Sequence, residues 1–118
     1  MTELLNKIKL FYQDLYIKKE YDNVILISEE YEGLFLKYNS VNGRIDFLKT
    51  LRLAHQKYSF EEITPLKVFQ NEAREICCIS RMVRIDKTIA QSQELMICDA
   101  FSFNDRDEIS KRVHYKLT

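Results

Sequence analysis

Glycine and proline are scarce: the 118 residues hold two of the first and one of the second. That excludes a glycine-rich loop whose backbone amides would cradle a phosphate. The cysteines, Cys77, Cys78 and Cys98, are too few and wrongly spaced for a disulfide framework or a zinc pattern. They read as small core residues in a reducing compartment, with neighbours Cys77 and Cys78 on opposite faces of a strand. No charge of one sign predominates, since 18 basic residues offset 18 acidic ones. No net field therefore recruits nucleic acid or an anionic membrane. No apolar run approaches a membrane span, and no basic-then-apolar segment opens the chain. A cytoplasmic location is the expectation. Tryptophan is absent, while seven Tyr and seven Phe are spread along the chain as core and cavity wall rather than a base-stacking platform.

What is present is ordinary globular material, 46% apolar and 31% charged, enough for one domain over 1–118. Thr2 is placed to cap a helix whose apolar positions run Leu4, Ile8, Phe11 and Leu15, beside a second stripe of Leu5, Tyr12 and Tyr16. So wide an apolar surface predicts a helix lying across a sheet. Asp22 is expected to cap a short second helix through Val24, Ile25 and Ile27, and Tyr31 to Lys37 reads as a strand. Asn42-Gly43 breaks the chain before a third helix carrying Ile45, Phe47, Leu48, Leu51, Ala54 and Tyr58. The period then changes to two. Phe60 to Phe69, Glu75 to Ile85, Ile89 to Phe103 and Ile109 to Leu117 read as successive strands. Asn71-Glu72, Asp86-Lys87 and Asn104 to Asp107 supply the turns. Helices followed by a long antiparallel meander give an α+β class: three N-terminal helices packed in a curved, mainly antiparallel sheet around a cone-shaped pocket.

One strand carries the chemistry. Side chains alternate along a strand, so Leu95, Ile97, Asp99, Phe101 and Phe103 share a face. A carboxylate there must be ion-paired, multiply hydrogen-bonded, or held neutral by desolvation. A neutral carboxyl is a hydrogen-bond donor suited to a developing oxyanion; an ionised one is a structural partner for an arginine. Arg81 and Arg84, in an otherwise apolar strand, are available to bind an acidic ligand or to pair with Asp99. Met96, Cys98 and Ala100 are apolar on the opposite face, which predicts that the strand is covered on both sides. The final strand alternates cleanly, Ile109, Val113, Tyr115 and Leu117 against Ser110, Arg112, His114 and Lys116, which places His114 at the surface.

Three segments carry a resemblance: Phe11-Tyr12-Gln13-Asp14-Leu15-Tyr16 followed by Lys18 to Asp22, then Asn42-Gly43-Arg44, then Ile97-Cys98-Asp99-Ala100-Phe101-Ser102-Phe103-Asn104. Together they resemble the nuclear transport factor 2-like superfamily, which includes ketosteroid isomerases and small polyketide cyclases. The resemblance implies that Asp99 is the isomerase's protonated aspartic acid, an example familiar from that enzyme, and that Tyr12 is the tyrosine beside it. Both would then donate to an enolate oxygen. It further implies a homodimer through the outer face of the sheet. The isomerase's proton-shuttling base belongs near Leu34 or Phe35, where Leu34-Phe35-Leu36 offers none, and His55 is the candidate replacement. Tyr16, Phe35, Leu51, Ile97 and Phe101 are the expected ligand-binding wall. Three functions follow: an isomerase- or cyclase-like catalyst on an enolisable carbonyl compound, a non-catalytic pocket for a small apolar molecule, or a dimerisation and interaction module. No metal or other cofactor is implied.

Overall fold

The computed structural model describes residues 2–35 and 40–117. Helix α1 (Thr2–Leu10) runs on into a wider, π-helical segment (Phe11–Ile17), where the Lys18 amide reaches back to the Gln13 carbonyl at 2.9 Å. The two stripes read from the sequence are both used: Leu4, Ile8, Phe11, Leu15, Tyr12 and Tyr16 are buried. Whether Thr2 caps this helix concerns a side chain outside the described residues. The expected second helix is a single 3₁₀ stretch (Tyr21–Leu26) with no side-chain cap at its start, so Asp22 is inside it rather than capping it. Ile27 belongs to the strand that follows.

That strand, β1 (Ile27–Phe35), begins earlier than expected and, with β2 (Val41–Asn42), precedes helix α2 (Arg44–Lys57); of the expected strand Tyr31 to Lys37, residues 36–37 lie outside those described. The helices therefore do not all come before the sheet. Gly43, at φ 90°, makes the break before α2 in a conformation that side-chain-bearing residues avoid. Tyr58, expected in the helix, is already extended and opens β3 (Tyr58–Gln70). Strands β4 (Glu75–Asp86), β5 (Gln91–Phe103) and β6 (Ile109–Lys116) complete the sheet. Ile89 falls in the β4–β5 turn because Asp86 Oδ1 accepts from the Thr88 amide and hydroxyl, at 2.9 and 2.6 Å, holding the chain back from the ladder.

The six strands lie in the order β2-β1-β6-β5-β4-β3. Only β1 against β6 is parallel, which makes the α+β sheet mixed. The core packs α1 and its π-helical continuation onto Ile76, Cys78, Ile97, Phe101 and Ile109. As expected, Cys78 is buried on the inner face while Cys77 is half-buried on the outer one. A single irregularity decides what β6 presents inward. Phe103 lies opposite Ile109, but Phe101 lies opposite Arg112, so one extra residue bulges out of β6. The parity flips there: Ile109 and Arg112 both point inward, and Val113 and Tyr115 point out.

Candidate functional site

Asp99 is completely buried on the inner face of β5. Four hydrogen bonds converge on its carboxylate: Tyr12 Oη donates to Oδ2 at 2.6 Å, Arg112 donates from Nε to Oδ1 at 2.9 Å and from Nη2 to Oδ2 at 3.0 Å, and His114 Nδ1 lies 2.7 Å from Oδ1. Burial pushes the Asp99 pKa up, but the Arg112 charge, followed by His114, outweighs it and holds the carboxyl well below the usual carboxylate range. Asp99 is therefore an ionised acceptor, which overturns the expectation of a neutral donor. Its partner is also not Arg81, which faces outward and bonds Glu62 at 2.7 Å and Glu94 at 2.6 Å.

Arg112 is equally buried, and burial works against its charge; Asp99 outweighs that and raises its pKa. Its guanidinium carbon sits 5.1, 5.3 and 5.9 Å from the ring centres of Phe11, Tyr16 and Phe101, an arrangement in which ring faces replace part of the lost hydration. Nη1 donates to the Tyr16 hydroxyl at 2.5 Å. The π-helical turn brings Phe11 and Tyr16 to this charge and Tyr12 to its Asp99 counter-ion from one short segment.

Among the described residues, His114 and Tyr16 both keep unused hydrogen-bonding capacity. An ionised carboxylate only accepts, so His114 Nδ1 carries the hydrogen toward Asp99 and, in the neutral imidazole, Nε2 keeps its lone pair. The Tyr16 oxygen accepts from Arg112, so its own hydrogen has no acceptor among the described residues. Burial pushes the Tyr16 pKa up and Arg112 opposes it, leaving the hydroxyl protonated at neutral pH.

A cavity of about 160 Å³ opens beside these groups, about the volume that admits a benzene-sized molecule. Phe35, Phe47, Leu51, Phe60 and Ile97 are among its walls, and Tyr16, Tyr58, Arg84, Arg112, His114 and Lys116 bring polar atoms to it. Of the expected wall, Tyr16, Phe35, Leu51 and Ile97 line the cavity. Phe101 does not; it packs behind, 5.5 Å from the Phe11 ring and 5.9 Å from Tyr12. Tyr12 and Asp99 are likewise behind the wall, with the Tyr12 hydroxyl committed to the carboxylate.

His55 is not available as a base. The Tyr16 carbonyl can only accept, so His55 Nε2 donates to it at 2.9 Å and Nδ1 accepts from the Tyr21 hydroxyl at 2.7 Å. Both nitrogens are engaged, and burial lowers its pKa. The residues that the sequence reading missed are Arg112 and His114, assigned to a solvent face by an alternation that the β6 bulge breaks. The signal available was the unanswered question of which cation neutralises a buried Asp99.

No family model matches the chain, and no curated protein matches it in sequence. Solved structures do. The chain superposes on a nuclear transport factor 2-like protein from Burkholderia xenovorans with a TM-score of 0.80 at 12% identity, covering 98% of this chain and 89% of that one. An LEH-like epoxide hydrolase from M. tuberculosis gives 0.79 at 14% identity, with 98% and 83% covered. A protein from Catenulispora acidiphila with a ketosteroid isomerase-like fold, solved with trimethylamine, gives 0.80 at 8% identity, with 92% and 83% covered. At such identities the likeness is one of fold. The chain has the nuclear transport factor 2-like fold.

Proposed function

We propose that the protein is a small-molecule pocket protein of the isomerase or cyclase kind, in which His114 takes a proton from an enolisable carbonyl compound and Tyr16 stabilises the oxygen. The observation that carries this reading is the His114–Asp99 pair at 2.7 Å at the wall of the cavity. Asp99, fixed by Arg112 and Tyr12, holds the imidazole in the tautomer whose Nε2 is basic, a positioning role rather than a catalytic one. Tyr16, polarised by Arg112, supplies the hydrogen bond that strengthens as charge develops on the carbonyl oxygen. In the parallel pairing of β1 and β6, Phe35 lies opposite His114. The base missing from Leu34-Phe35 is thus replaced from the adjacent strand, at the cavity wall.

The test is proton exchange at the α-carbon of a small ketone such as cyclopentanone in deuterated buffer, followed by NMR. Exchange by the wild type should fall about 10²–10⁴-fold in His114→Gln, the usual contribution of one general base, and should also fall in Tyr16→Phe. Wild-type exchange no faster than buffer, with the ketone bound, would leave a non-catalytic pocket.

A homodimer belongs to the same reading. Across the outer face, Phe69, Cys77, Ala100 and Val113 form one row and Lys67, Ile79, Cys98 and Tyr115 the next. The rows are largely apolar, and Phe69 is 57% exposed. A second copy of this face is the occupant that we propose.

A further inference from the structure

We infer that the ligand of this pocket carries a carboxylate on a compact apolar body, received by Arg84 with Lys116 lining the same cavity across Leu95. The inference rests on the pocket reading above and names its ligand class. The chain as a whole is neutral, with 18 basic and 18 acidic residues, yet the cavity lining includes Arg84, Arg112 and Lys116 and, among the described residues, no carboxylate. Arg112 is balanced by Asp99 directly behind it. Among the described residues, no carboxylate pairs with the other two.

Arg84 is set up to receive something. Its Nε donates to Gln93 at 2.9 Å and its guanidinium carbon stacks 3.8 Å from the centre of the Tyr58 ring. Those contacts fix the plane of the guanidinium while Nη1 and Nη2 have no partner among the described residues. A planar fork held flat on an aromatic face, with two donors unused, matches the two oxygens of a carboxylate. Arg81, three residues earlier on the same strand, shows the contrast: outside the sheet its guanidinium is taken by Glu62 and Glu94. In register, Arg84 lies opposite Gln93 and Lys116 opposite Ile97, so the two cations flank the β5 wall residue Leu95 from either side. Near a low-dielectric wall, two cations without a counter-ion favour an anion entering with its apolar end first. The cavity of about 160 Å³ limits that end to roughly one ring.

The experiment compares phenylacetate with its neutral isostere phenylacetamide by NMR titration of the full chain, reading the Leu51 and Ile97 methyl signals. Phenylacetate should bind at least about tenfold tighter than the amide, the advantage expected of a hydrogen bond to a charged group. Raised salt should narrow that ratio. In the double variant Arg84→Gln/Lys116→Gln the ratio should fall to near one, the greater loss of affinity being that of phenylacetate. Should Arg84→Gln impair folding by releasing Tyr58, Lys116→Gln alone, at an exposed position, must still narrow the ratio. Equal binding of acid and amide by the wild type, or a ratio that survives the substitutions, overturns the carboxylate and leaves the pocket standing. Methyl signals unmoved by either compound at millimolar concentration would end the pocket reading and this inference with it.

Discussion

Replacing Asp99 by Asn separates an ionised, structural carboxylate from a neutral donor. The side chain keeps its size, loses its charge, and exchanges one acceptor oxygen for an NH₂ group. Around it stand only donors: Tyr12 Oη, Arg112 Nε and Nη2, and His114 Nδ1, all within 3.0 Å. The amide nitrogen has to face at least one of them donor to donor, and the Arg112 charge, 1% exposed, loses its counter-ion. Breaking a buried pair by removing one partner costs about 3–5 kcal/mol. For a domain of this size that is about 12–20 °C in Tm, against a total stability of about 5–15 kcal/mol. Chemical denaturation at pH 7 measures the loss. Pairing it with Arg112→Met in a double-mutant cycle should recover part of it, because the second change removes the orphaned charge. The pH dependence carries the same sign. The folded pKa of Asp99 is depressed, so its stabilisation is complete above the unfolded value of about 3.9 and is lost as pH falls below that toward the folded value. Asp99→Asn should flatten that acid limb. An Asp99→Asn protein within about 1 kcal/mol of wild type at pH 7, inside the range of ordinary substitutions, would refute the ion pair and restore the neutral carboxyl.

Tyr12→Phe removes one charge-assisted bond and should cost about 1.5–3 kcal/mol while leaving ketone binding intact, because Tyr12 is behind the cavity; loss of binding without loss of stability would contradict this placement. His55 has its pKa lowered by burial, so its stabilisation is present above about 6.5 and declines as pH falls through the window below. Melting curves between pH 7.5 and about 5 should show that decline in the wild type and less of it in His55→Gln, which keeps a donor for the Tyr16 carbonyl. For the homodimer, light scattering at roughly tens of micromolar, a working range for ordinary affinities, should give twice the chain mass, and Val113→Glu on the outer face should give a folded monomer; a monomeric wild type ends that proposal.

The sequence by itself determined most of the elements, and the faces of those whose alternation is unbroken. The helical stripes from Leu4 to Tyr16, the break at Asn42-Gly43, the change of period close to Tyr58 and the inward set Leu95, Ile97, Asp99, Phe101 and Phe103 are local patterns, written within one turn or one strand. It also required that Asp99 have an answer, since a buried carboxyl cannot be left unsolvated and alone. What that answer is depends on the neighbouring strand and on register, which no local pattern carries. The bulge in β6 moves Arg112 and His114 from the face their alternation suggested to the inner one, and the parallel pairing of β1 with β6 sets His114 opposite Phe35. A one-residue slip reverses every side chain beyond it. Tertiary structure alone therefore decided that Asp99 is an ion-paired acceptor, that Tyr16 rather than Tyr12 faces the cavity, and that His55 is locked between Tyr21 and the Tyr16 carbonyl, because each of these depends on atoms from segments distant in the chain meeting at hydrogen-bond distance.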